Sequence, residues 1–165
     1  MRATPNSLLS MALLASFALV GGCTKNIPNT DVPDSPENRS VVEFMEKYRK
    51  AIEDRNVEAL LAMTHPEYLD DSGTPGGHDD VDYESLSTKL AALSSRLLDV
   101  RNYNIRYRRI RFDRDRVFIE YTYTAYFRIV TNEEDGARWA RRIADHRAVL
   151  HRDPETDEMS FLSGL

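Results

Sequence analysis

The residue with the clearest capacity for chemistry is Cys23, the only cysteine in the 165-residue chain. It follows an apolar run over residues 8–20, with Arg2 upstream and the pair Gly21-Gly22 directly before it. A positive start, an apolar stretch too short to span a bilayer and small residues at its end are typical of a secretory signal peptide. An unpaired cysteine in an exported protein is liable to oxidation, so we expect its sulfur to be modified.

The block Val20-Gly21-Gly22-Cys23 resembles the cleavage box of bacterial lipoproteins. The resemblance implies that residues 1–22 are a signal peptide and that Cys23 becomes the acylated first residue of the mature chain. Two or three acyl chains, a palmitate among them, would make attachment to the membrane stable. Thr24, in place of aspartate, favours the outer membrane facing the periplasm. The alternative is an ordinary free thiol beside a signal peptide.

Charge is distributed unevenly along the chain. The net charge is −5, yet residues 101–152 hold 13 arginines against 7 acidic residues. Such a segment could bind an anionic partner. Because its arginines alternate with apolar residues as in strands, we expect instead that the acidic first half and the basic second half neutralise each other. Nucleic acid is not an expected partner of an acidic, exported protein.

One domain is expected after the signal peptide, because the remaining length suits a single core. Residues 23–36 comprise the lipidated cysteine and a proline-rich stretch without apolar periodicity, which predicts a flexible tether. The domain then covers residues 37–165.

Three helices are predicted in the first half of the domain. Ser35 and Pro36 are typical of a helix start, and apolar residues from Val41 to Ile52 follow at helical spacing. Asn56 is placed to cap a second, short helix, and Asp82 a third. Between them, residues 70–82 have the composition of a loop.

From Tyr103 onward the period changes to two, which predicts an antiparallel meander. Its apolar phase breaks near Arg108-Arg109, where we expect a β-bulge. Further strands are predicted over residues 117–130, 138–151 and 159–162. Helices followed by such a meander make the fold class α+β.

This order of elements resembles the nuclear transport factor 2-like superfamily, and particularly its SnoaL-like and ketosteroid-isomerase-like branches. The resemblance includes "DRN" at residues 54–56, "HPEYLDD" at residues 65–71, and the strand, turn and short strand over residues 143–165. It implies a cone in which three N-terminal helices pack on a curved antiparallel sheet around one pocket. The superfamily includes enzymes and non-catalytic modules, so function must come from the site.

The resemblance also implies candidate catalytic residues. Ketosteroid isomerase uses a carboxylate base with an oxyanion hole of a tyrosine and a protonated aspartate. The counterparts here are Tyr48 on the first helix, Asp145 on a strand, and Asp70 or Asp71 as the base. Asp145 could be protonated on a buried face, but arginines on the same face would hold it ionised. An isomerase or cyclase is therefore the alternative hypothesis, and a non-enzymatic role is preferred.

Aromatic side chains provide the candidate pocket lining. These candidates are Tyr48, Tyr68, Tyr121, Tyr123, Trp139 and, as a polar group, Asp145. Tyrosine-rich walls suit an apolar or amphipathic ligand with one or two polar groups.

The four histidines, His65, His78, His146 and His151, show no ligand spacing, so we expect no metal and no cofactor. The sequence thus predicts a lipid-anchored accessory module that binds a small apolar ligand or a protein partner. Homodimerisation through the sheet is a further hypothesis that follows from the resemblance.

Overall fold

The computed structural model describes residues 25–71, 77, 79–130 and 136–165. The predicted signal peptide, Cys23 and His78 lie outside the described residues. Within them, the order is two helices, two very short strands, a third helix and four longer strands. The α+β class expected from the sequence is confirmed.

The three helices begin where side chains can cap them. Helix α1 (Pro36–Glu53) starts after Ser35, whose hydroxyl accepts a hydrogen bond from the Asn38 amide at 3.2 Å. Helix α2 (Val57–Ala62) is capped by Asn56, and helix α3 (Tyr83–Arg96) by Asp82. These caps satisfy backbone amides that a first helical turn leaves without partners, so the starts predicted from the sequence are confirmed.

The predicted loop over residues 70–82 contains a minimal pair of strands. Strand β1 (Leu69–Asp70) pairs with strand β2 (Val81–Asp82) in antiparallel register. The pair connects α2 to α3.

The main sheet is an antiparallel meander in the order β3-β4-β5-β6. Its strands are Leu97–Asp113, Arg116–Val130, Ala137–Arg152 and Met159–Ser163. The pairing of β3 with β4 shifts register at three points, one of them between Tyr107 and Arg109, where the sequence predicted a bulge. Bulges increase twist and bend a strand, so the long strands curve around the helices.

The core forms between helix α1 and the inner face of the sheet. Val41 and Met45 on the helix are fully buried, as are Ile119 and Leu150 on the sheet. The alternation along β4, a strand predicted from the sequence, places residues 117, 119, 121, 123, 125, 127 and 129 on this inner face. Burial of this face fixes the register of the whole meander.

Strand β6 belongs to the core. Phe161 is fully buried, and its ring lies 5.4 Å from that of Phe44 and 5.1 Å from that of Tyr48. Its amide donates to Met63 O at 2.8 Å, and its carbonyl accepts from the His65 amide at 2.9 Å. The last strand therefore joins the helices to the sheet.

The segment over residues 25–35 differs from the flexible tether that the sequence predicted. Val32 is only 1% exposed, and the Asp31 amide donates to Tyr107 O at 2.9 Å. The Asp31 carboxylate binds Arg106 at 2.7 Å and Arg108 at 2.9 Å. The proline-rich sequence did not indicate this packing, because a segment held by Ile27, Val32 and a few ion pairs shows no apolar periodicity.

Candidate functional site

A cavity of about 310 Å³ lies between the helices and the inner face of the sheet. Its helical wall consists of Ile52, Val57, Leu60, Leu90 and Leu93. Its sheet wall consists of Leu97, Val100, Ala125, Phe127 and Ile129. The volume is at the lower end of the range for small-molecule sites, and the apolar lining is typical of them.

Two tyrosines form the polar part of the cavity wall. The rings of Tyr103 on β3 and Tyr123 on β4 are stacked, with centroids 5.5 Å apart and an interplanar angle of 17°. Burial raises the pKa of Tyr103 far above its ordinary value, and the nearby Tyr48 raises it further. Tyr103 therefore stays a neutral phenol that can donate a hydrogen bond.

Two arginines complete the lining. Arg142 lies on the inner face of β5, opposite Ala125. Its positive charge lowers the pKa of the Tyr103 hydroxyl, which partly offsets the larger increase that burial causes. Arg55, in the turn after α1, donates from Nη1 to Leu97 O at 2.9 Å. Both residues are solvent-exposed, so they mark the mouth of the cavity. No acidic residue is found among the lining residues that the structure describes.

Of the six pocket candidates predicted from the sequence, only Tyr123 lines this cavity. Tyr48 and Tyr121 are buried in the core behind it, 4% and 1% exposed. Burial raises the pKa of both hydroxyls. The Tyr121 hydroxyl interacts with that of Tyr48 but has no partner at normal hydrogen-bond geometry among the described residues. These two tyrosines support the cavity wall without forming its surface.

Asp145 and Trp139 lie on the outer face of the sheet. Asp145 pairs in register with Thr122, whose hydroxyl donates to its carboxylate at 2.6 Å. Trp139 is 48% exposed, and the Arg101 guanidinium lies 4.7 Å from its ring centroid. Their odd positions on β5 place them opposite the inner-facing residues. The face that carries Asp145 is therefore exposed to solvent, not buried as the catalytic hypothesis required. Asp145 and the buried Tyr48 lie on opposite sides of the sheet, so one ligand cannot contact both.

Asp70 and Tyr68 hold the last residues of the described chain. The Gly164 amide donates to the Asp70 carboxylate at 3.2 Å, and the Leu165 amide donates to the Tyr68 hydroxyl at 3.2 Å. Burial raises the pKa of Tyr68 to about 12. Neither residue lines the cavity, and neither does Asp71, which is exposed. The predicted isomerase constellation is thus not assembled.

Most arginines of the second half have local partners. Arg106 and Arg108 bind Asp31, Arg147 lies 3.6 Å from Glu120, and Arg152 binds Asp157. Others stack on rings, such as Arg111 on Phe118. These contacts agree with neutralisation between parts of the domain.

The described residues contain no group of three or more histidine, cysteine, aspartate or glutamate side chains that could hold a metal ion. Over the same residues, no helix has the length and apolar character needed to cross a membrane.

Arg55 and Arg142 line the cavity although neither was predicted as a site residue. Arg142 was detectable, because even-numbered positions of β5 share the inner face with Ala148 and Leu150. Arg55 has a positive φ of 54° in a short turn, and nothing in its spacing indicates that it lines a cavity.

No protein-family model matches the chain, and no curated protein matches it in sequence. Solved structures do match. A conserved protein from Planctomyces limnophilus has a TM-score of 0.63 at 8% identity, over 78% of this chain and 92% of that one. A ketosteroid isomerase-like protein from Erwinia carotovora atroseptica has a TM-score of 0.60 at 12% identity, over 79% and 95% of the two chains.

A third match is a candidate dehydratase of the nuclear transport factor 2-like family from Streptomyces avermitilis. Its TM-score is 0.57 at 12% identity, over 79% of this chain and 95% of that one. Similarity at this level of identity identifies a fold and leaves activity open. With its helices packed on a curved four-stranded antiparallel sheet, the chain has the fold of the nuclear transport factor 2-like superfamily.

Proposed function

We propose that this protein binds a small apolar ligand in the cavity between its helices and its sheet, as an accessory module and not as an enzyme. The observation that carries the proposal is the cavity itself: about 310 Å³, with apolar walls and few polar groups. Such a cavity gains binding energy from burial of apolar ligand surface, and its few polar groups orient the ligand.

The positions of the candidate catalytic groups support a binding role. The carboxylate of Asp145 is on the far side of the sheet from the cavity, and Asp70 is engaged by the Gly164 amide. A general base must come within hydrogen-bond reach of the proton that it removes. Neither carboxylate meets that condition for a ligand in the cavity.

A thermal-shift screen of the purified protein against apolar alcohols, acids and sterols tests the binding role. We expect several apolar compounds of compact size to raise the melting temperature. Absence of any shift across the whole set, together with no adduct in native mass spectrometry, would contradict ligand binding and leave a protein partner as the remaining function.

We further propose that the protein is anchored through Cys23 to the outer membrane and faces the periplasm. The support is the sequence alone: the short apolar run, the block Val20-Gly21-Gly22-Cys23, and Thr24 after it. Cys23→Ser tests this, because the substitution removes the acylated sulfur. We expect the variant to leave the membrane fraction or to accumulate as uncleaved precursor. A variant that is still processed and retained in the membrane would contradict the anchor.

Self-association is a second candidate role, and the outer face of the sheet favours it. Trp139, Tyr126 and Ile143 are exposed there at 48%, 39% and 55%. The same face carries both Arg141 and Asp145, so two copies could meet with complementary charges. Sedimentation equilibrium of the wild type and of Trp139→Ser tests it. A monomeric wild type at micromolar concentration would contradict the dimer.

A further inference from the structure

We propose that the ligand is an amphipathic anion, an apolar chain with one carboxylate, whose head binds Arg142 and the Tyr103 hydroxyl at the mouth of the cavity. This inference rests on the proposed function, because it names the class of ligand for the same cavity.

The walls accept the apolar part of such a ligand. Leu90 and Leu93 on helix α3 line the cavity together with Phe127 and Ile129 on strand β4. Leu93 is 45% exposed although it lines an apolar cavity. A chain entering at the mouth would cover part of this exposed leucine, so its burial would contribute to affinity.

The charge at the mouth selects the head group. Within the described part of the chain, the Arg142 guanidinium takes part in no hydrogen bond and no ion pair. This distinguishes it from Arg106 and Arg108, which share the carboxylate of Asp31. An arginine placed beside an apolar cavity without a protein partner can bind a carboxylate in two parallel hydrogen bonds.

Neighbouring groups reinforce this selection. Arg55 adds a second positive charge to the lining, and it is held in place by its hydrogen bond to Leu97 O. Glu53 lies beside this region, where it accepts from the Tyr103 amide at 3.1 Å and binds Arg49 at 2.7 Å. With two arginines and no acidic residue in the described lining, the cavity favours a carboxylate head group over a cationic one.

Tyr103 supplies the second contact to the head group. It is 7% exposed, and burial keeps its phenol protonated. A protonated phenol beside Arg142 donates to a carboxylate oxygen, while a neutral alcohol would use the phenol and leave the guanidinium with water only. The arrangement thus favours a carboxylate over an alcohol of equal length.

Isothermal titration of the purified protein with decanoate and with decan-1-ol tests the proposal. Decanoate should bind at least about tenfold more tightly than the alcohol, the size expected of one charge-assisted contact. Arg142→Gln should remove that preference by lowering the affinity for decanoate to about that for the alcohol. Arg141→Gln is the matched control, because Arg141 lies one position away on the outer face, with its guanidinium 5.4 Å from the Tyr126 ring centroid.

The outcomes separate this inference from the function on which it rests. If decan-1-ol binds as tightly as decanoate, or if Arg142→Gln keeps the preference, the anionic head group is wrong while apolar binding stands. If neither compound binds the wild type, both the inference and the binding function are contradicted. If Arg141→Gln has the same effect as Arg142→Gln, the contact at the mouth is overturned in favour of general charge.

Discussion

Narrowing the cavity with Ala125→Leu should leave the protein folded and weaken ligand binding. Ala125 is 5% exposed, lies on strand β4 between Tyr123 and Phe127, and lines the cavity. The substitution adds three carbons to a site with about 310 Å³ of free space beside it. Burying them is worth up to about 2.4 kcal/mol at about 0.8 kcal/mol for each carbon, so the free energy of unfolding should stay level or rise.

The sign of this change tests whether the cavity exists. In a core that is already filled, the same substitution would force side chains out of their rotamers and cost about 1–3 kcal/mol. Urea unfolding followed by circular dichroism measures the difference. A loss of more than about 1 kcal/mol would show that the space beside Ala125 is smaller than the structure indicates.

The effect on binding follows from linkage. A ligand at one hundred times its Kd stabilises the wild type by about 2.7 kcal/mol, which raises the melting temperature of a chain of this size by about 5–11 °C. Ala125→Leu should show a clearly smaller shift. Thr124→Leu is the control, because Thr124 faces the outer side of the sheet, and it should keep the shift. A shift retained by Ala125→Leu and equal to that of Thr124→Leu would refute the assignment of the site.

Three further outcomes follow from packing and burial. Phe161→Ala should lower the free energy of unfolding by about 3–5 kcal/mol, because Phe161 is fully buried. In the same urea titrations Leu162→Ala should lower it clearly less, because Leu162 is only half-buried. Equal losses from the two substitutions would contradict the role of β6 in the core. Gly164→Ala should be more destabilising than Gly136→Ala in the same assay, since both glycines have a positive φ but only at Gly164 would a Cβ meet a backbone atom, 2.1 Å from Arg147 O. Stability should fall as pH rises from about 10, the unfolded tyrosine value, towards about 12, because burial raises the pKa of Tyr68 to about 12 in the fold. A melting temperature unchanged across this range would contradict the raised value.

The elements of the fold were predictable because their signals are local. Helix starts follow from side chains one residue before the first turn, as at Ser35, Asn56 and Asp82. The inner face of β4 follows from strict alternation over many residues. Even the bulge beside Tyr107 is visible as a change of phase.

The candidate site was harder to predict because it depends on the relative positions of distant segments. Alternation shows that Asp145 and Ile143 share a face but does not show which face meets the helices. The large apolar side chain of Ile143 favoured the interpretation that its face is buried, but Ile143 is 55% exposed. The buried face of β5 carries small residues such as Ala148. Register against β4 decides the matter, and that pairing is not local.

The tyrosines illustrate a second reason. Tyr48, Tyr121 and Tyr123 all face the interior, as their periodicity predicts. They differ in how deeply their rings are buried: Tyr48 and Tyr121 support the cavity wall from behind, and Tyr123 lines it. Depth depends on how far helix α3 stands off the sheet, and no single segment of sequence encodes that distance.

The most direct test of the binding function is a crystal structure of the protein grown with decanoate. We expect a continuous ligand chain between Leu90 and Phe127, with its carboxylate at the Arg142 guanidinium and the Tyr103 hydroxyl. A cavity that is closed by its own side chains, or one that holds only ordered water at saturating decanoate, would contradict it.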